Sequence, residues 1–475
     1  MRVINQPGIT IAGLSGDSGK TLLSCGIINA LRKRGYSTAA FKKGPDYIDA
    51  AWLSLASGRQ ARNLDSYLMT KEVIRDSYAK NSLNADISVI EGNRGLHDGV
   101  DTDGSHSTAV ISKITGTPVL LAVNVTKMTR TVAALALGCK LLDKEVDIAG
   151  IIINKVAGTR QENLIRKAIM NEAGIEVLGA IPKLNEAELL PSRHLGLVTP
   201  SEHEQALASI DMAGNYIAKY TDLDLILAKA FRARPIELKE TFKAEINGTY
   251  RDDNTGQEKV KIGYFRDKVF TFYYPENLEA LEDRGAELIP VSPMEAWELP
   301  DLDGLYIGGG FPETHAGLLS GNRQMMRSVR KASLNGLPIY AECGGLMYLA
   351  GKLIIEGLEY QMAGVFDIEC EMNKKPAGHG YVKARIIRAN PFYPAGTKIK
   401  GHEFHYSKII SYNDMDCCLE LEKGTGALDN KDGLIKDNTF ASYTHLHALS
   451  SDEWAGGFMK KAKEYKYSAI SKSVI

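Results

Sequence analysis

The segment Val3 to Arg34 constrains the fold more than any other. An apolar run, Val3 to Ala12, leads into Gly13-Leu14-Ser15-Gly16-Asp17-Ser18-Gly19-Lys20-Thr21, and helical spacing then continues from Thr21 to Arg34 until Gly35 ends it. A buried strand, a glycine-rich turn and an amphipathic helix in that order belong to an α/β fold, in which the helix returns across the sheet. Ile87 to Ile90, Pro118 to Val125 and Ile148 to Ile153 are further short runs rich in β-branched residues, separated by helix-like segments. They predict a parallel sheet covered on both faces.

At 475 residues the chain is longer than one hydrophobic core usually organises, so two domains are expected. The apolar pattern degrades from about Asp224 to Glu258 and ends in the turn-rich stretch Asn247 to Gly256. A second series begins at Val260 to Phe265 and continues with Leu288 to Val291, Gly304 to Ile307 and Pro338 to Tyr340. The expected division is 1–224, a linker at 225–258, and a second α/β domain at 259–475.

The balance of charge excludes some partners. With 57 basic and 58 acidic residues, a net charge of -1 provides no overall field for nucleic acid or an anionic membrane. Met1 to Thr10 lacks a signal-like pattern, and no apolar stretch approaches a membrane span, so a cytoplasmic protein is expected. The cysteines at 25, 139, 343, 370, 417 and 418 form no Cys-x-x-Cys pair and are expected to be reduced, with Cys25 and Cys139 as small core residues.

Two motifs carry chemistry. In the first, the backbone N–H groups of Gly16, Asp17, Ser18 and Gly19 can face phosphate oxygens at a helix start, Lys20 can reach the outer phosphates of ATP, and Thr21 can hold Mg²⁺. Asp46, in Lys42-Lys43-Gly44-Pro45-Asp46-Tyr47-Ile48-Asp49, and Glu91, in Glu91-Gly92-Asn93-Arg94-Gly95, follow predicted strands and can complete a Mg²⁺ shell with Thr21. Asn154-Lys155 closes another strand and is a candidate adenine-recognition pair. Leu14 stands where the commonest phosphate loop has Gly, and the spacing resembles the variant loop of dethiobiotin synthetase.

In the second motif, Leu337 to Tyr340 runs into Ala341-Glu342-Cys343-Gly344-Gly345, resembling a nucleophile elbow. Such a turn exposes sulfur near a helix start, which is expected to lower the thiol pKa. Ser442-Tyr443-Thr444-His445-Leu446-His447 offers a base, and Gly308-Gly309-Gly310 can turn N–H groups toward an oxyanion, with Gly309, Gly310 and Gly344 as candidates. Few reactions need both a phosphate cradle and a thiolate. The leading one is glutamine-dependent amidation, in which ATP activates a carboxylate and the thiolate releases ammonia.

These motifs, with Asn63-Leu64-Asp65, Asp98-Gly99, Ser192 to Leu197, Phe272-Tyr273-Tyr274-Pro275, Gly401 to Ser407 and Tyr443 to His447, resemble the cobyrinic acid a,c-diamide synthase family across nearly the whole chain. The resemblance implies an N-terminal P-loop NTPase-like, dethiobiotin synthetase-like domain and a C-terminal class I-like glutamine amidotransferase domain. It implies Cys343 as nucleophile and His445 as its base, in a class that uses a Cys-His pair without a fixed third acid, so Glu342 is given no place in the triad. It also implies ATP as co-substrate, Mg²⁺, glutamine, a tetrapyrrole carboxylate substrate, and a protected path for ammonia between the domains. A homo-oligomer is compatible with it.

Asn93-Arg94 stands where many members carry Val-Met, and His97 replaces an aromatic residue. With Tyr47 and Asp49 these are the candidate substrate-side residues. The ring could therefore be cobyrinic acid or another tetrapyrrole, namely sirohaem, nickel-sirohydrochlorin or hydrogenobyrinic acid. His402, His405 and Tyr406 are open between substrate contact and structure. A nucleotide-switch protein with an inert amidotransferase-like domain is the alternative of a different class.

Overall fold

A computed structural model describes residues 2–183, 190–193, 196–238, 259–413 and 416–473. The chain forms two compact units, Met1–Asn247 and Gly248–Ile475. His194, Leu195 and the turn-rich stretch 247–256 lie outside the described residues.

The first apolar run is two strands. Pro7 has no backbone N–H to give a ladder, and it separates β1 (Arg2–Ile4) from β2 (Gly8–Gly13). β2 sits near the middle of a seven-stranded parallel sheet with β3 (Thr38–Lys43), β4 (Arg62–Leu64), β5 (Ile87–Gly95), β6 (Val119–Asn124), β7 (Ile148–Val156) and β8 (Val177–Pro182), in the order β4-β3-β5-β2-β6-β7-β8. Alternation along β6 shows why both faces are covered. Leu120 and Ala122 enter one core, while Val119, Leu121 and Val123 enter another on the opposite face.

Two expectations need correction here. Glu91 does not follow its strand but lies inside it, because β5 continues to Gly95 and Glu91 pairs in register with Ile11 and Lys42. The linker also begins later than 225. Leu223–Ala230 is a helix capped by Asp222, and β11 (Ile236–Leu238) pairs antiparallel with β1, so these residues belong to the first unit. β9 (Ser192–Arg193) and β10 (Gly196–Leu197) form a two-stranded pair in that unit.

The second unit is built on a ten-stranded mixed sheet. β12 (Val260–Phe265), β13 (Ala286–Val291), β14 (Gly304–Ile307), β15 (Ile339–Glu342) and β24 (Thr439–Ser442) are parallel neighbours in the order β13-β12-β14-β15-β24. The sheet continues through antiparallel β23 (Lys431–Lys436), β22 (Cys417–Lys423), β19 (Gly378–Ile386), β20 (Lys398–His405) and β25 (His445–Leu446). A separate four-stranded sheet contains β16 (Lys352–Ile355), β17 (Leu358–Gln361), β18 (Ile368–Met372) and β21 (Ser407–Tyr412). All six cysteines are free, with Cys25 buried and Cys139 half-buried. No helix among the described residues is long and apolar enough to cross a membrane.

Candidate active site

In the first unit, the loop after β2 reaches helix α1 (Lys20–Lys33) through Gly19, whose φ of +83° is the left-handed conformation that favours glycine. Lys20 folds its Nζ back onto the Ser15 carbonyl at 3.0 Å, so the ammonium lies across the loop. Burial and the nearby Lys42 charge hold its pKa below the usual value. Asn154, at the end of β7, donates from Nδ2 to the Ser18 carbonyl at 3.2 Å and braces the loop from the neighbouring strand end. The Lys155 N–H in turn donates to Asn154 Oδ1 at 2.8 Å.

The register of β3 against β5 sets Lys42 opposite Glu91, and β5 in turn brings Glu91 beside α1. Lys42 Nζ lies 2.8 Å from Glu91 Oε1 and 2.5 Å from Asp49 Oδ2, with all three side chains largely buried. Thr21 Oγ1 also donates to Glu91 Oε1, at 2.8 Å. Burial pulls the Lys42 ammonium down, but Asp49 and Glu91 outweigh it and hold the group above its ordinary value. Burial pushes Glu91 up to about 7, opposed by Lys42 and helped by the Asp49 charge. Asp46 is pushed up to about 6 by burial and by Asp49, whose backbone N–H it accepts at 2.9 Å.

The structure therefore joins Thr21 directly to Glu91 and places Asp46 in the same charged cluster through Asp49 and Lys42. Among the described residues, no group of three or more His, Cys, Asp or Glu forms a metal cage. A hard cation nevertheless suits this site, because Glu91 Oε2 is buried with no hydrogen-bond partner among the described residues and Thr21 supplies a second oxygen. Lys42 was not singled out in the sequence. Its signal was a charged residue in a strand, Thr38–Lys43, whose every residue is buried.

The remaining candidates spread along the same strand ends. Tyr47 and Asp49 open the helix Ile48–Ser57, and Asn93 lies against Gly44, where an added Cβ would stand 3.3 Å from Asn93 Nδ2. Arg94 is exposed with φ +48°. His97 is turned to the Cys139 carbonyl at 3.0 Å.

In the second unit, three adjacent parallel strands bring the expected groups together. β14 runs into Gly308-Gly309-Gly310, β15 into Cys343, and β24 leads to His445, so all three groups follow the carboxyl ends of neighbouring strands. Cys343 has φ +49° and ψ −99°, a strained conformation held by its N–H donating to the Ser442 carbonyl at 2.7 Å. A Cβ on Gly309 would stand 2.5 Å from His445 Cε1 and 3.3 Å from Nε2. One on Gly344 would stand 3.0 Å from Gly310 N. Gly309, Gly310 and Gly344 therefore crowd the same few ångströms around the elbow.

The expected low pKa of the thiol does not hold. Burial pushes Cys343 up, and the Glu313 charge adds to the rise, against one hydrogen bond from the Gly344 N–H. The following helix, Gly344–Leu349, has six residues and little dipole to offset them.

His445 Nδ1 lies 3.4 Å from Glu342 Oε2, and His402 stacks on the His445 ring with centroids 5.0 Å apart. Burial, followed by the neighbouring His445 and His447, keeps His402 well below its usual pKa. His447 instead approaches Glu276 at 3.6 Å and Tyr274. His405 stacks on Tyr443 and has Nδ1 2.7 Å from the Ser407 carbonyl, a packing role. The Tyr406 carbonyl accepts the Asn373 N–H.

Residues 9–198 match the CobQ/CobB/MinD/ParA nucleotide binding domain, and residues 261–453 match the CobB/CobQ-like glutamine amidotransferase domain. A cobyrinate a,c-diamide synthase of Magnetococcus marinus is 41% identical over 450 residues, which cover 94% of this chain and 96% of the relative. The chain belongs to the cobyrinate a,c-diamide synthase family. Relatives of the same description from Archaeoglobus fulgidus and Caldanaerobacter subterraneus subsp. tengcongensis are 38% and 39% identical. Those matches cover 97% and 96% of this chain and 98% of each relative. A cobyrinate a,c-diamide synthase family member thus carries its nucleotide-binding domain first and its amidotransferase domain second.

Proposed function

We propose that this protein amidates the a and c side-chain carboxylates of cobyrinic acid, using ATP to form acyl phosphates and glutamine as the source of ammonia. The carrying observation is that one chain holds a Lys20 phosphate loop beside the Thr21–Glu91 pair and a Cys343 elbow beside His445. Similarity along the whole chain to relatives named for this reaction supports the same reading.

Lys20 leaves the Ser15 carbonyl to meet the outer phosphates, and the loop N–H groups hold the rest of the chain of phosphates. Thr21 and Glu91, with Asp46 nearby, would hold Mg²⁺, which offsets phosphate charge during transfer. The buried Lys42 keeps Glu91 and Asp49 in place and adds positive charge near the transferred group. In this reading Asn154 and Lys155 border the base, and Tyr47, Asp49, Asn93, Arg94 and His97 border the ring.

At the second site, the Cys343 thiol gives its proton to His445 as sulfur attacks the glutamine amide carbon. The N–H groups of Gly309, Gly310 and Gly344 stabilise the oxyanion. His445 then returns the proton to the departing ammonia, leaving a γ-glutamyl thioester that water hydrolyses. Burial and the Glu313 charge disfavour a free thiolate, so in this reading the proton moves to His445 as sulfur attacks.

Mass spectrometry of cobyrinic acid incubated with the protein, ATP, Mg²⁺ and glutamine tests the reading. Each amide replaces a hydroxyl with an amino group, so a diamide is recognised by two such changes. Parallel incubations with hydrogenobyrinic acid, sirohaem and nickel-sirohydrochlorin test the choice of ring. A product from one of these and none from cobyrinic acid overturns the substrate while keeping the chemistry.

A further inference from the structure

We infer that Glu342 is a positioning residue for His445, completing a Cys-His-Glu arrangement in which the acid directly precedes the nucleophile in the chain. The inference rests on the amidotransferase reading of the second unit. Glu342 ends β15 opposite Ser442 of β24, three residues before His445, so adjacent parallel strands deliver the carboxylate under the imidazole. Its side chain is fully buried. Oε1 accepts the Leu446 N–H at 3.1 Å and Oε2 accepts the Tyr306 hydroxyl at 3.1 Å. A carboxylate has lone pairs beyond these two, and Oε2 lies 3.4 Å from His445 Nδ1.

The other sides of the ring are also fixed. His402 covers one face, and Gly309 lies against the Cε1 and Nε2 edge. With Nδ1 turned to Glu342, a neutral imidazole protonated there keeps its lone pair on Nε2, the nitrogen a base must present to the thiol. When the S–H bond breaks, the proton goes to Nε2 and the sulfur pair forms the bond to carbon. Glu342 stabilises the imidazolium and is itself unchanged. His447, at the alternate position along the strand, is committed to Glu276 and Tyr274 and does not serve this role.

The charged and titratable groups around the pair include Glu342 from β15 with the Tyr306 hydroxyl on it, His402 from β20 with His379 near it, His447 beyond His445, and Glu313 and Asp432, which act on the Cys343 thiol. Glu342→Gln removes one charge and leaves one acceptor oxygen, which can serve the Leu446 N–H while the amide NH2 faces the Tyr306 hydroxyl oxygen. The test is the rate of Cys343 alkylation by iodoacetamide against pH, resolved by peptide mass spectrometry, because it needs no glutamine turnover. Loss of the carboxylate makes the imidazolium less stable. The acid limb of the alkylation profile should therefore move about one unit lower in pH, and the neutral rate should fall about tenfold.

An unmoved limb overturns the inference, even if the rate falls, because general loosening changes rates without moving this titration. If Glu342→Gln does not fold, ¹⁵N shifts of labelled histidine in the unmodified protein decide. The Nδ1–H tautomer of His445 supports the role of Glu342, and the Nε2–H tautomer overturns it. Failure of the unmodified protein to release glutamate from glutamine would instead count against the proposed function.

Discussion

A single methyl group is enough to test the geometry around Cys343. An added Cβ at Gly309 would stand 2.5 Å from His445 Cε1, closer than side-chain carbons approach. Since Glu342 and His402 hold the ring on other sides, the imidazole must leave its place. Gly309→Ala should therefore lower glutaminase turnover on the order of a hundredfold, the scale expected for a misplaced catalytic group, with little change in the melting curve. Glutamate release within threefold of the parent would show that the loop does not set the ring. Cys343 itself illustrates how far residue type predicts environment. A thiol at a strand-to-helix turn was legible in the sequence, but its raised pKa follows from burial and from Glu313, which lies thirty positions earlier.

At the scale of elements, the β3–β5 register explains a charged cluster that strand patterns alone do not reveal. Lys42 and Glu91 are forty-nine residues apart and become direct partners only when the sheet forms. Lys42→Met leaves Asp49 and Glu91 buried without their ammonium, so it should destabilise the protein by about 3 kcal/mol at pH 8. The loss should shrink at pH 5, where protonated carboxyls need no cation. Urea unfolding at the two pH values checks both statements, and an equal loss at each would remove charge as the cause.

Glu91→Gln tests the same cluster from its acidic side. The folded Glu91 carboxyl is pushed up to about 7, above its ordinary value of about 4.3 in an unfolded chain. Between these values the folded state binds more protons, so the favourable contribution is complete below the lower value and is lost as pH rises through the upper one. In metal-free buffer the parent should lose stability relative to Glu91→Gln between about pH 5 and 7. A constant difference across that window would show that burial does not govern this group.

For the whole molecule, the two chemistries should separate by nitrogen source. Cys343→Ala should abolish glutamine-supported amidation and leave substantial activity with high ammonium, because in the proposed reaction the thiol serves only to make ammonia. Lys20→Ala should remove amidation with either donor, since the carboxylate must be activated before any ammonia can attack. Equal loss with both donors in a folded Cys343→Ala protein, or normal ammonium-supported rates in Lys20→Ala, would break this division. Short-range patterns determined much of the molecule in advance: the glycine-rich turn before α1, the strand-to-helix turn around Cys343, the parallel character of the first strand series, and the separation into two α/β units. These features depend on neighbours in the chain, where apolar period, glycine and helix spacing act directly. Only the tertiary structure decided that Glu91 lies within β5, that Leu223–Ala230 and Ile236–Leu238 belong to the first unit, and that Lys42 stands beside Glu91 and Glu342 beside His445. Those outcomes depend on which strands become neighbours and in what register, because a buried charge acquires its partner only when distant parts of the chain meet.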